Sequence, residues 1–170
     1  LLGHWLYSRG RVEDAVAAWQ VADDDPVALR NRGVAAYNHC GDPREAVACY
    51  DRALALAPDD ARLWYERDQL AKQLGESLEE RFARLEARFG VVASRDDLSV
   101  EYAKLLIGLD RPAEALDLLA GRRFQPWEGG EGQVLEAWED ASLAVARQAI
   151  DAGEPAVAVR DIEGAIEPPQ

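Results

Sequence analysis

Few residues of this 170-residue chain have the types and spacing that catalysis needs. Two acidic runs, Asp23-Asp24-Asp25 and Glu79-Glu80, offer carboxylates for a metal ion or for proton transfer. Such runs are more often solvated helix faces or helix ends, and Asp25 stands directly before Pro26, an ordinary helix stop. His4 and His39 have no Cys or carboxylate companions at metal-ligand spacing. No Gly-x-Gly-x-x-Gly, Walker loop or Gly-x-Ser-x-Gly occurs, and Gly129-Gly130-Glu131-Gly132 lacks the Lys and the preceding strand of a phosphate loop. The expectation is a protein with no catalytic residues, no metal and no cofactor.

Binding chemistry is better represented. Residues 121–132 read Gly-Arg-Arg-Phe-Gln-Pro-Trp-Glu-Gly-Gly-Glu-Gly. Arg122, Arg123, Phe124 and Trp127 could grip a partner, with the glycines allowing close backbone approach. The competing reading is a plug, in which Phe124 and Trp127 bury themselves between neighbouring helices, as aromatics in loops usually do. The sequence leaves both open.

Composition narrows the partner. Acidic side chains outnumber basic ones 32 to 19, a net charge of −13, which argues against nucleic acid and against an anionic membrane surface. Cys40 and Cys49 are the only cysteines and form no CxxC, which fits a reduced compartment. There is no signal peptide, and no apolar run approaches the roughly 18 residues of a membrane span. A cytoplasmic protein is expected. The chain opens on Leu-Leu inside a helical pattern and ends on Pro168-Pro169-Gln170, as a piece of a longer polypeptide would.

The elements that must position these groups follow a repeated phrase: a turn residue, then Ala, then a large apolar residue. It reads Gly10…Ala15…Trp19, Gly41…Ala46…Tyr50, Asp110…Ala115…Leu119 and Gly153…Ala158…Ile162, with a worn copy at Gly75. The turn positions lie 31, 34, 35 and 43 residues apart, a period that marks stacked helical hairpins. Apolar residues spaced by three and four run along each helix. The expected units are about 1–25, 26–59, 60–90, 96–121 and 133–167, a single repeat domain interrupted by the 121–132 loop. In the third unit the second helix should span about 78–89 and end at Gly90, with Glu80 standing where the small packing residue belongs.

The second unit resembles the tetratricopeptide repeat through Gly33, Ala46, Tyr50, Ala53 and Pro58. It departs at Arg32, where that family has Leu, and carries one extra residue between Gly33 and Gly41. The resemblance implies an all-α right-handed superhelix of about four to five antiparallel hairpins, binding proteins or peptides in a concave groove. Placed on that pattern, the groove receives His4, Tyr7, Ser8, Arg30, Tyr37, Asn38, Arg62, Tyr65, Gln69, Lys72 and Lys104. These are basic and aromatic side chains in an acidic protein, which favours an acidic peptide. Some members of the family clamp a peptide carboxylate. Here Asn31 and Arg62 match that clamp, while His4 and Glu66 replace two of its members, so the clamp is incomplete.

The loop string Arg-Phe-x-Pro-Trp-Glu-Gly-Gly-Glu-Gly is also similar to the C-terminal repeat region of large bacterial proteins with a galactose-mutarotase-like N-terminal domain. That likeness implies an alternative role as a spacer or dimerisation element of a carbohydrate-related enzyme, pairing copies through apolar repeat ends. The favoured expectation is a non-catalytic protein- or peptide-binding scaffold.

Overall fold

The computed structural model describes residues 1–125, 130 and 132–166. Among them the chain is all helical, with no strand, and divides into two compact units, Leu1–Gly75 and Glu76–Gln170.

The first unit holds α1 (Leu2–Tyr7), α2 (Val12–Gln20), α3 (Pro26–Ala35), α4 (Pro43–Leu56) and α5 (Ala61–Gln73). Three of its helices, α3, α4 and α5, start where an Asp caps them. Asp25 accepts the Val27 N–H, Asp42 accepts that of Glu45, and Asp60 accepts those of Arg62 and Leu63. Pro follows the first two caps, where its missing N–H costs nothing. The five expected turn positions, Gly10, Gly41, Gly75, Asp110 and Gly153, all have positive φ. Asp110 tolerates that backbone at φ 60°, and its carbonyl and carboxylate both accept from the Gln148 amide.

Hairpin packing rests on small residues meeting large ones. Ala15 and Ala46 are fully buried, each four residues before a buried aromatic, Trp19 or Tyr50. A Cβ on Gly33 would lie 3.0 Å from two Tyr50 ring carbons and 3.3 Å from the Ala46 carbonyl oxygen. Gly3 stands in the same relation to Trp19, whose ring would come within 2.3 Å of an added Cβ. The glycine-to-aromatic spacing is thus a second repeated signal. The extra residue between Gly33 and Gly41 is absorbed by a π-helical turn, Ala36–Cys40, at the end of α3. A single such turn is the usual way a helix takes up one inserted residue.

The second unit holds α6 (Leu78–Glu86), α7 (Phe89–Val92), α8 (Asp96–Gly108), α9 (Pro112–Ala120), α10 (Gln133–Asp151) and α11 (Pro155–Gly164). Helix α8 is its centre: Leu98, Val100, Tyr102, Ala103, Leu105 and Leu106 are all buried. Two sequence expectations change here. The helix starting at Leu78 stops at Glu86, and Gly90 lies inside the short α7 instead of ending a longer helix. Glu80, at the position of the packing Ala, has a structural use. It completes a capping box, accepting the Ser77 N–H at 3.2 Å while Ser77 Oγ accepts the Glu80 N–H at 3.2 Å.

Gly33→Val should force Tyr50 aside and destabilise the protein by about 1–3 kcal/mol, as overpacking does. Gly90→Ala, where an added Cβ meets nothing within 4 Å, should be neutral or slightly stabilising. Thermal melts followed by circular dichroism check both. A Gly33→Val variant melting at the wild-type temperature would contradict the packing described.

Candidate functional site

Some of the residues assigned to a groove by the repeat pattern surround a cavity in the first unit, between α3 with its π-helical turn, α4 and α5. Its organiser is Glu66 on α5. The Glu66 carboxylate accepts from Arg30 Nε and Nη2, both at 2.6 Å, from Arg62 Nε at 2.9 Å and from the Tyr50 hydroxyl at 3.0 Å. It therefore ties α3, α4 and α5 together. The pair with Arg30 is bidentate, the geometry in which a guanidinium binds a carboxylate best. Arg30 Nη1 also donates to Asn31 Oδ1 at 3.2 Å, so Arg30 is committed to the scaffold. Arg62 is 59% exposed, and its terminal nitrogens bond to no described residue.

Beside this cluster lies a cavity of about 210 Å³, lined among others by Tyr37, Asn38, Tyr50, Glu66, Gln69 and Gln73. The π-helical turn supplies Tyr37 and Asn38. The Gln69 amide nitrogen is buried and donates to no described residue. A buried donor left unpaired costs about 1–3 kcal/mol, and few occur in folded proteins.

Three sequence candidates thus share this cavity: Tyr37, Asn38 and Gln69. Arg30 and Arg62 join it through Glu66. Tyr65 and Lys72 lie on the same helix, half-buried and exposed respectively. Tyr7 instead packs on Trp19, with ring centroids 5.7 Å apart, and its hydroxyl lies 2.8 Å from His39 Nε2. Lys104 belongs to the second unit, where its Nζ meets Glu136 at 3.2 Å. In the loop, Arg122 bonds to Asp96, to the Ser99 hydroxyl and to the Ala93 carbonyl, and lies 4.9 Å over the Phe124 ring. The Gln125 N–H reaches Asp96 Oδ2 at 2.7 Å, so this half of the loop is strapped to the start of α8. Arg123 is exposed, and Trp127 lies outside the described residues.

The acidic runs have structural employment. Asp23 pairs with Arg32 and Arg52, Asp25 caps α3, and Glu80 caps α6. Among the described residues no group of three His, Cys, Asp or Glu side chains could hold a metal ion. Burial, with Glu45 3.3 Å away, pushes the Cys49 thiol up to about 11, which leaves it a poor nucleophile at neutral pH. Sequence reasoning missed Gln73 and the organising role of Glu66. The Arg62/Glu66 pair was visible as an i,i+4 spacing, whereas the Arg30–Glu66 pair exists only once α3 and α5 meet.

Burial alone would raise the Glu66 carboxyl; the bonds from Arg30, Arg62 and Tyr50 outweigh it and hold the group below its usual range. A carboxyl depressed by folding adds stability that is fully present above its unfolded value, about 4.3, and lost as pH falls through the folded one. Glu66→Gln should therefore cost most above about pH 5, and its deficit should shrink towards pH 3. Urea midpoints of both proteins against pH test this; a deficit constant with pH would contradict it.

Residues 26–67 match the tetratricopeptide repeat family model, a span that contains Arg30, Tyr50, Arg62 and Glu66. Two crystal structures of MamA align with 96% and 98% of this chain and with 86% and 93% of their own, both at 14% identity and a TM-score of 0.63. A MamA RS-1 ArsTM double mutant aligns with 97% of this chain and 89% of its own, at 14% identity and a TM-score of 0.58. At such identity the likeness is one of fold. Residues 26–67 are thus matched as a tetratricopeptide repeat, within a chain that shares the all-helical repeat fold of MamA.

Proposed function

We propose that this protein is a non-catalytic interaction scaffold whose α3–α5 groove binds an extended peptide segment of a partner protein. The observation that carries this reading is the unpaired, buried Gln69 amide at the wall of the groove. A peptide carbonyl would give it the acceptor it lacks. Asn38 and Gln73, on either side, offer further amides for main-chain hydrogen bonds. The cavity of about 210 Å³ is smaller than the roughly 300–1,000 Å³ of small-molecule sites, which suits one peptide side chain better than a cofactor.

Charge sets the preference at one position. Arg30 and Arg62 share a single carboxylate, leaving the cluster one positive charge in excess, and the open nitrogens belong to Arg62. An Asp or Glu of the peptide fits there. Packed helices hold these groups in place beforehand, so little ordering entropy opposes binding.

A second reading, pairing of two copies through α11 and the turn that follows it, is favoured by an apolar row. Val159, Ile162 and Ile166 are 57%, 44% and 76% exposed. Sedimentation should show a dimer that Ile162→Asp converts to monomer; a monomeric wild-type protein would remove this reading.

For the groove, twelve-residue peptides selected from a random displayed library would serve as ligands. Gln69→Leu should weaken their binding about tenfold, while raising the melting temperature because an unpaired buried donor is gone. Arg62→Glu should abolish any preference for Asp or Glu in the selected peptides. Anisotropy titrations showing unchanged affinity in both variants would overturn the proposal.

A further inference from the structure

The second unit contains a larger groove of different chemistry. About 600 Å³ lies between α6–α7 on one side and α9 on the other, with Tyr102 and Leu106 of α8 among its lining. One wall is aromatic. Phe82 stacks on Tyr102 with centroids 5.2 Å apart, and Phe89 tilts against Tyr102 at 5.6 Å. Phe89 is nevertheless 45% exposed, an unusual condition for an aromatic already inside a cluster. The other wall is α9, which contributes Leu118 and Asp117.

The cations of this groove are already occupied. Arg111 forms a bidentate pair with Glu114, both bonds at 2.6 Å, and covers Phe82 at 4.8 Å. Arg122 is held by Asp96 and Ser99. The carboxylates are not matched in the same way. Among the described residues, exposed Glu86 accepts only from the Tyr102 hydroxyl, and exposed Asp117 bonds to none through its side chain. The wider field has the same sign: residues 76–170 carry 20 of the 32 acidic side chains and 10 of the 19 basic ones.

From this arrangement we infer that the α6–α9 groove is a second docking site, distinct from the peptide groove, for a basic amphipathic helix of a partner protein. Apolar side chains on one face of that helix seat on Phe89 and Leu118, above the buried Leu106 at the floor, the mode of helix-in-groove recognition. Arg or Lys side chains flanking them reach Glu86 and Asp117, and a guanidinium can lie on the open face of Phe89. Acidic helices, nucleic acid and anionic lipid are repelled by the same two carboxylates.

Two fluorescein-labelled sixteen-residue helical peptides test this, both with Leu at every third or fourth position, one flanked by Arg and the other by Glu. In anisotropy titrations of the full chain, the Arg peptide should bind at least about tenfold more tightly than the Glu peptide, and should weaken as salt rises. Asp117→Arg alters an exposed, unpaired residue and should preserve helicity while weakening the Arg peptide about tenfold. Gln69→Leu should leave it unchanged, which separates this groove from the first. Absence of binding, equal affinity for both peptides, or indifference to Asp117→Arg would overturn the inference.

Discussion

One carboxylate organises the first unit. Glu66 receives hydrogen bonds from Arg30 on α3, Tyr50 on α4 and Arg62 on α5. Taking a carboxylate and a guanidinium out of water is costly, and only good geometry with further hydrogen bonds offsets it. Both conditions hold, since the Arg30 pair is bidentate and Tyr50 fills another acceptor site. The consequence is positional. The three helices that wall the groove cannot slide without breaking a charged bond, and Gln69, one turn further along α5, is held facing a cavity with nothing to bond to.

Below that cluster lies the packing that lets the helices approach at all. Gly33 admits the Tyr50 ring, and Gly3 does the same for Trp19. Tyr50 does both jobs: its ring fills the space left by the missing Cβ, and its hydroxyl reaches Glu66. The tetratricopeptide residues Gly33 and Tyr50 therefore build the floor on which the charged cluster of this chain stands.

Much of the fold was legible in the sequence because it depends on local rules. Turn residues needing positive φ, Asp-Pro helix starts and three-four apolar spacing placed most helices within a residue or two. The misses were also local, and concerned competing uses of one residue. Glu80 was read only as replacing the packing Ala, and its reciprocal bond with Ser77 was not considered. The extra residue before Gly41 was noticed, but its resolution as a π-helical turn, which brings Tyr37 and Asn38 to the groove, was not. The site was less legible. Individual cations could be counted, but which of them remained open could not, because Arg30 and Arg62 are spent or spared only through tertiary pairing with Glu66. The second groove left no motif, since Phe89, Leu106 and Asp117 come from three different helices.

The two units thus present different surfaces: a small groove with an unpaired amide and one spare cation in the first, and a larger aromatic groove with spare carboxylates in the second. The most direct test of the first is the nuclear magnetic resonance spectrum of ¹⁵N-labelled protein with and without a selected peptide. The Gln69 side-chain amide and the Arg62 guanidinium should shift together on binding, with the amide protons moving downfield as they gain an acceptor, while resonances of residues 76–166 stay in place. Binding that leaves Gln69 and Arg62 unmoved and shifts another surface would contradict the groove as the site of recognition.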